Sequence, residues 1–390
     1  MAVGNAVVSH GGGPTAVLNS SLLGVFDGVN GAGVKRLWAA AGGLAGMTQV
    51  SCVDLLKLPR ATVVSAARQP GSYIGSFRGI ITEEDLDRFI GFCRRRDVRY
   101  CFCTGGNGSM GTALRIADAA RKRRYDLLTV GVPKTMDNDI CETDHCPGFG
   151  SAARFVMNAV RDIGLDQRSL PSPVSIIEVM GRNTGWLAAA SILARHRKDA
   201  PPHFIYIPER IFDPQEFLAR IDGLLAARGW AVGVVAEGLR DGSGRIIGAS
   251  GGSARDAQGR VLAGNCSQSL AALVTRSLKV RARSEKPGLL CRAFVACRSE
   301  TDMREAYEAG QAAAHAALSG QSSVMVALER PRSGPYHCSY RFVPLSSVAN
   351  RERKLDPRYL KAGVSEGVDG RYARYARPLA GGMPEAPVIL

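Results

Sequence analysis

One pattern recurs along this chain. A short apolar run ends in a loop of glycines and small polar residues, and a helical stretch follows. AVVSH (6–10) leads into GGGPTA and then VLNSSLLGVFDGV. VRYCFCT (98–104) leads into GGNG and then SMGTALRIADAARKRR (109–124). LLTVGV (127–132) ends in PKTMDND (133–139) and VSIIEVM (174–180) in GRNTGW, while FIYIPE (204–209) and AVGVVAEGL (231–239) continue the series. Near-continuous apolar strands suit a parallel sheet with helices over both faces. In the stretch after GGNG, Met110, Ala113, Leu114 and Ala117 share one helical face, and Ser109 stands where an N-cap would stand. The pattern predicts an α/β fold whose ligands lie beyond the carboxyl ends of the strands, which is where these loops sit. SARDAQGR (253–260) and RPRSGPYH (330–337) read as surface loops.

The 390 residues suffice for two or three domains. No apolar run reaches 18 residues, so a membrane span is not expected. The first residues lack the basic start and apolar stretch of a signal peptide. A cytoplasmic protein is expected, with its ten cysteines as reduced thiols. CETDHC (141–146) sets His145 between Cys141 and Cys146, but no second cluster offers the remaining ligands of a zinc site at normal spacing. The net charge of +15 permits anionic partners. The clusters at 94–96, 121–124 and 351–353 read as solvated basic faces, and no nucleic-acid motif accompanies them.

The loops carry the chemistry. GGGP (11–14) and GGNG (105–108) let backbone amides approach phosphate oxygens at a helix N-terminus, although a glycine turn after a strand is also an ordinary structural need. PKTMDND crowds Lys134, Thr135, Asp137, Asn138 and Asp139 into one loop. One aspartate can serve as base while the other holds Mg²⁺, and Lys134 can neutralise a transferring phosphoryl group. Arg182 lies beyond a strand at a helix start with a fork suited to phosphate. Glu237, a charge ending an apolar strand, is expected to face a cleft. Arg78, Arg283 and Arg292 are candidate phosphate binders.

GGPTAVLN (12–19), PGSYIGSFR (70–78), GGNGS (105–109), PKTMDND (133–139), GFGSAA (148–153), IIEVMGRNTGWLAAAS (176–191), VVAEGL (234–239), KPG…CR (286–292), SVANRERKL (347–355) and YARPLAGG (375–382) occur in this order. In this the chain resembles the phosphofructokinases over nearly its whole length, and most of all their pyrophosphate-using branch and its ATP-using relatives. The resemblance implies two three-layer α/β/α domains with mostly parallel sheets and an active site in the cleft between them. Residues 1–150 and about 285–330 would bind the phosphoryl donor, and residues 151–284 and about 331–390 the sugar phosphate. It implies a homodimer or homotetramer and Mg²⁺-dependent transfer to the 1-hydroxyl of fructose 6-phosphate. Catalysis would fall to Asp137 as base, Lys134, Thr135 and Arg182. Donor contacts would come from Gly12, Gly13, Arg78, Gly106, Asn107, Gly108 and Ser109. Thr135, Met180, Gly181, Arg182, Glu237, Arg283 and Arg292 would hold the sugar phosphate, with Asn107 and Asp139 near the metal.

Three departures bear on these expectations. Asn107 stands where the family often has Asp. Gly108 stands where pyrophosphate users carry a second Asp that fills the space of an ATP α-phosphate; this inclines the reading towards ATP, while Lys134 argues for pyrophosphate. On the acceptor side Pro173 replaces a basic residue, Leu289 a polar one and Cys291 a glutamine. A lost charged hydrogen bond costs about 1.5–3 kcal/mol, so either fructose 6-phosphate binds less well or another ketose phosphate, such as sedoheptulose 7-phosphate, is the acceptor. A non-catalytic sugar-phosphate-binding relative is the alternative of another class.

Overall fold

A computed structural model describes residues 4–43, 52–169, 173–249, 263–331, 333–360 and 367–383. The stretch SARDAQGR lies outside the described residues. The chain forms two compact units, Met1–Phe149 with Arg292–Arg353, and Gly150–Cys291 with Lys354–Leu390.

The first unit is built on seven strands: β1 (Asn5–His10), β2 (Leu37–Ala40), β3 (Cys52–Asp54), β4 (Val98–Gly105), β5 (Leu128–Pro133), and, after the chain returns, β10 (Val324–Glu329) and β11 (Ser339–Pro344). Their order is β11-β10-β5-β4-β1-β2-β3. The five inner strands run parallel, and the two edge strands pair antiparallel with their neighbours. Alternation along each strand divides the core. Val7, Cys101, Cys103, Met325 and Ala327 face the helices Glu83–Arg95 and Asn107–Lys122. Ala6, Val8, Tyr100, Phe102, Val326 and Leu328 face the helices Leu18–Val29 and Glu300–Leu318. Strands apolar on both sides are thus covered on both sides, as a parallel sheet requires. The last two helices approach closely through small residues. A Cβ on Gly24 would stand 1.9 Å from Tyr307 O, and one on Gly310 would stand 2.2 Å from Ser21 O.

The second unit carries a four-stranded parallel sheet in the order β7-β8-β6-β9, from β6 (Val174–Val179), β7 (Phe204–Tyr206), β8 (Ala231–Ala236) and β9 (Ala282–Glu285). One core joins Val174, Ile176, Phe204, Tyr206 and Val235 to the helices Pro214–Arg228 and Cys266–Leu278. The short helix Trp186–Ala190 also packs on β7 and β8. Around it, Trp186, Tyr359, Tyr372 and Tyr375 form a ring cluster with centroids 5.4–6.1 Å apart, and Tyr372 Oη donates to Trp186 O.

The boundaries differ from the expected ones at the second and third crossings. β11 pairs with β10 through all six of its residues, from Val324↔Pro344 to Glu329↔Ser339. That ladder keeps the chain in the first unit to Arg353 rather than to about 330, and the return begins at Arg292 rather than about 285.

Candidate active site

In the first unit the ends of β1, β4 and β5 bring three loops together. Gly12 takes a φ of +76° that favours glycine, and its amide donates to Phe77 O at 2.9 Å. The 70–78 segment is held against this turn, with Ser76 Oγ donating to Gly12 O at 2.7 Å. After β4 the helix starts at Asn107, with Gly106 as an extended N-cap and no side-chain cap. Ser109, expected at the cap, lies in the first turn instead. Its hydroxyl fills the space beside Gly11 and Gly105, where added Cβ atoms would come within 2.3 and 2.0 Å of Oγ. The N-cap, Gly106, offers the first-turn amides no side-chain acceptor, a local field that favours an anion.

PKTMDND follows β5. Lys134 is 2% exposed, and its Nζ donates to Gly11 O at 2.9 Å and Gly13 O at 2.6 Å. Burial brings the Lys134 ammonium down to about 7, helped by the charges of Arg292 and Arg78 and opposed by Asp137 and Asp139. Arg292 lies beside Gly13, where a Cβ would stand 2.1 Å from Nη1. Burial and the neighbouring Arg78 lower it too. Thr135 Oγ1 accepts from the Asp137 amide at 3.1 Å and so shapes the turn. Burial pushes Asp139 up to about 7, with Asp137 and Glu352 adding to the effect. Its Oδ2 accepts from Asn107 Nδ2 at 2.8 Å, while Asn107 Oδ1 is buried without a hydrogen-bond partner among the described residues. A buried orphan oxygen beside a carboxylate is a fit for Mg²⁺ or a water bound to it. The structure thus gathers Gly12, Gly13, Gly106, Asn107, Ser109, Lys134, Thr135, Asp137, Asp139 and Arg292 around three adjoining loops. Arg78 is exposed, near enough for its charge to act on Lys134.

The second unit holds a separate group. Gly181 follows β6 at φ +147°, where a Cβ would meet Thr184 O at 2.6 Å. Glu237 follows β8 half-buried, accepts from the Gly181 amide and lies near Arg182; burial raises its carboxyl. The backbone of Arg182 rests on Gly238, where a Cβ would stand 1.8 Å from Arg182 O. Arg182 belongs to the loop, and the helix expected at it begins only at Trp186. Met180, Gly181, Arg182 and Glu237 therefore share the ends of two paired strands. Arg283 lies in β9 opposite Ser175. Pro173 precedes β6, and Leu289 is 61% exposed.

Against these geometries stand the known proteins. The family described as Phosphofructokinase matches residues 5–317. The chain belongs to the phosphofructokinase family. It is 37% identical over 396 residues to the pyrophosphate–fructose 6-phosphate 1-phosphotransferase of Xanthomonas campestris pv. campestris, covering all of this chain and 94% of the relative. The crystal structure of the pyrophosphate-dependent phosphofructokinase of Nitrosospira multiformis superposes with a TM-score of 0.89 at 31% identity, covering 100% of this chain and 94% of that one. The ATP-dependent 6-phosphofructokinase of Amycolatopsis methanolica is 30% identical over 83% of this chain and 69% of its own.

As a phosphofructokinase-family chain it shows the two departures of its glycine loop plainly. Asn107 is engaged with Asp139, and a Cβ on Gly108 would meet nothing within 4 Å among the described residues. Sequence reasoning missed Arg353. Read as part of a solvated basic cluster, it is half-buried with its guanidinium on backbone carbonyls. CETDHC does not gather its own two cysteines about His145. His145 bonds Asp144 through Nδ1 at 3.0 Å and Glu305 through Nε2 at 2.8 Å. Burial opposes the imidazolium, yet these two hydrogen bonds raise His145 overall. The sulfur within reach is Cys338, rather than Cys141 or Cys146. The long-range partners Glu305 and Cys338 left no local signal in the sequence.

Proposed function

We propose that this chain transfers a phosphoryl group from ATP to the 1-hydroxyl of fructose 6-phosphate or a related ketose phosphate. The observation that carries the reading is the meeting of Lys134, Arg78 and Arg292 with Asp137 and Asp139 around two glycine loops. Three cations there can draw in and neutralise a polyphosphate, and two carboxylates beside them can take a proton and hold a metal. Mg²⁺ held by Asp139 and Asn107 would offset charge on the donor oxygens.

The chain's own groups divide the work. Amides of the two glycine loops and Arg78 bind the donor phosphates. Lys134, released from the Gly11 and Gly13 carbonyls, sits against the phosphoryl group in transit. Asp137 accepts the proton of the sugar 1-hydroxyl. Met180, Gly181, Arg182 and Glu237 orient the sugar. Arg283 holds the distal phosphate.

ATP is favoured because the space at Gly108 is open. A second reading, pyrophosphate as donor, is supported by Lys134 and by the 37% identical relative's name. Pro173 and Leu289 favour a weakly held fructose 6-phosphate or an acceptor with a more distant phosphate. The test is a coupled assay with Mg²⁺, run in parallel with ATP and pyrophosphate, on fructose 6-phosphate and sedoheptulose 7-phosphate. It includes Gly108→Asp. The reading expects ATP turnover in the wild type and at least a tenfold move of the ATP-to-pyrophosphate ratio towards pyrophosphate in the variant. Wild-type turnover with pyrophosphate alone overturns ATP as donor. Silence with every pair overturns catalysis in favour of a binding role.

A further inference from the structure

Arg353 has a placement that donor and acceptor binding leave unexplained. Its Nη2 donates to Asn138 O at 2.7 Å and its Nη1 to Thr143 O at 2.7 Å and Asp144 O at 2.5 Å. Its own amide donates to Asp139 O at 2.7 Å, and the preceding Glu352 bridges Ile140 in an antiparallel pair. One side chain thus ties both ends of the loop that begins with the aspartates. Between those aspartates Asn138 holds a φ of +56°, fully buried, with its Oδ1 accepting from the Cys146 amide at 3.0 Å. A left-handed residue is the natural point for such a loop to relax, and Arg353 clamps its carbonyl. The same strap reaches the glycine loop. The Asn350 amide donates to Asn107 O at 3.4 Å, and its side chain lies where a Cβ on Gly111 would come within 2.7 Å.

We propose that Arg353 is a positioning residue for the aspartate loop: its guanidinium and amide hold the backbone at Asn138 and Asp139, and through Asn350 they set Asp139 in register with Asn107. The proposal rests on the reading that Asn107 and Asp139 receive the metal. A simpler role, in which Arg353 only adds stability, lowers the melting temperature but leaves the metal requirement of the folded enzyme unchanged.

The experiment measures initial rates of the full chain against Mg²⁺, donor and sugar phosphate for the wild type, Arg353→Lys and Arg353→Met, with melting temperatures alongside. Misplacement of reacting groups by about 1 Å costs about 10²-fold in rate. Arg353→Met is therefore expected to lose about that factor in kcat and to need about tenfold more Mg²⁺ for half-maximal activity, with the sugar-phosphate KM within twofold. Arg353→Lys, which keeps a cation and fewer donors, recovers part of both. Folded variants that match the wild-type kcat and Mg²⁺ requirement overturn the proposal. If Arg353→Met does not fold, Arg353→Lys decides, and an unchanged Mg²⁺ requirement overturns it. Active wild type with unaffected variants sinks this inference alone; wild type without Mg²⁺-dependent transfer sinks the functional reading and this inference with it.

Discussion

Lys134 and Asp139 show how single residues bear the strain of the site. Neither has an environment chosen for its own comfort: the lysine is 2% exposed among arginines, and the carboxylate lies beside Asp137 and Glu352. Lys134→Met keeps the volume and removes the charge, so kcat should fall by about 10²–10³ while the sugar-phosphate KM changes little; steady-state kinetics check this. In the free enzyme Lys134 gives up its proton near pH 7. The donor's kcat/KM should then decline as pH rises through about 7, and the corresponding limb of kcat should lie higher, because bound phosphate restores the ammonium. Asp139 tests the opposite sign. Its folded value of about 7 stands above the unfolded one, so the charge penalises folding above pH 7 and not below about pH 4. Asp139→Asn should raise the stability of the metal-free protein by on the order of 2 kcal/mol at pH 8, with the gain vanishing at pH 4. Denaturant melts at the two pH values measure it.

At the scale of elements, the decisive contact in the first unit is between the helices Leu18–Val29 and Glu300–Leu318. Gly24 and Gly310 bring backbone against backbone, and an added methyl at either would meet a carbonyl oxygen rather than a yielding side chain. Gly310→Ala would gain about 1 kcal/mol in helix propensity, yet overpacking of this kind costs about 1–3 kcal/mol or more. A net loss of stability in urea melts is the expected result. Such glycines are invisible as contacts in the sequence, since the partners lie nearly three hundred residues apart. What was legible was local: the alternation of apolar strands, the glycine loops and the amphipathic face carrying Met110 and Ala113. Ser109 shows the limit of local reading. Its type suited a cap, but packing against Gly11 and Gly105 claimed its hydroxyl and moved the helix start to Asn107.

For the whole molecule, the first unit is made from two distant chain segments. β10, β11 and the helix Glu300–Leu318 supply Met325, Val326, Ala327, Val343, Ala309 and Ala313 to its two cores. A chain ending at residue 291 should therefore leave this unit unfolded despite retaining PKTMDND and both glycine loops, which circular dichroism and proteolysis would show. The net charge of +15 acts at the same scale. It raises the local concentration of anionic substrates, so the donor's KM should rise with added salt.

The sequence by itself determined the fold class, the family and the loops from which the candidate site is built, because strand periodicity and loop composition act over a few neighbouring residues. Tertiary structure alone decided the rest. It sent the chain back through β10 and β11, turned His145 to Asp144 and Glu305 rather than to nearby cysteines, and laid Arg353 across the carbonyls of the aspartate loop. β10 on β5, His145 on Glu305 and Arg353 on Asn138 each pair residues far apart in the chain, and only a folded backbone brings such partners to hydrogen-bonding distance.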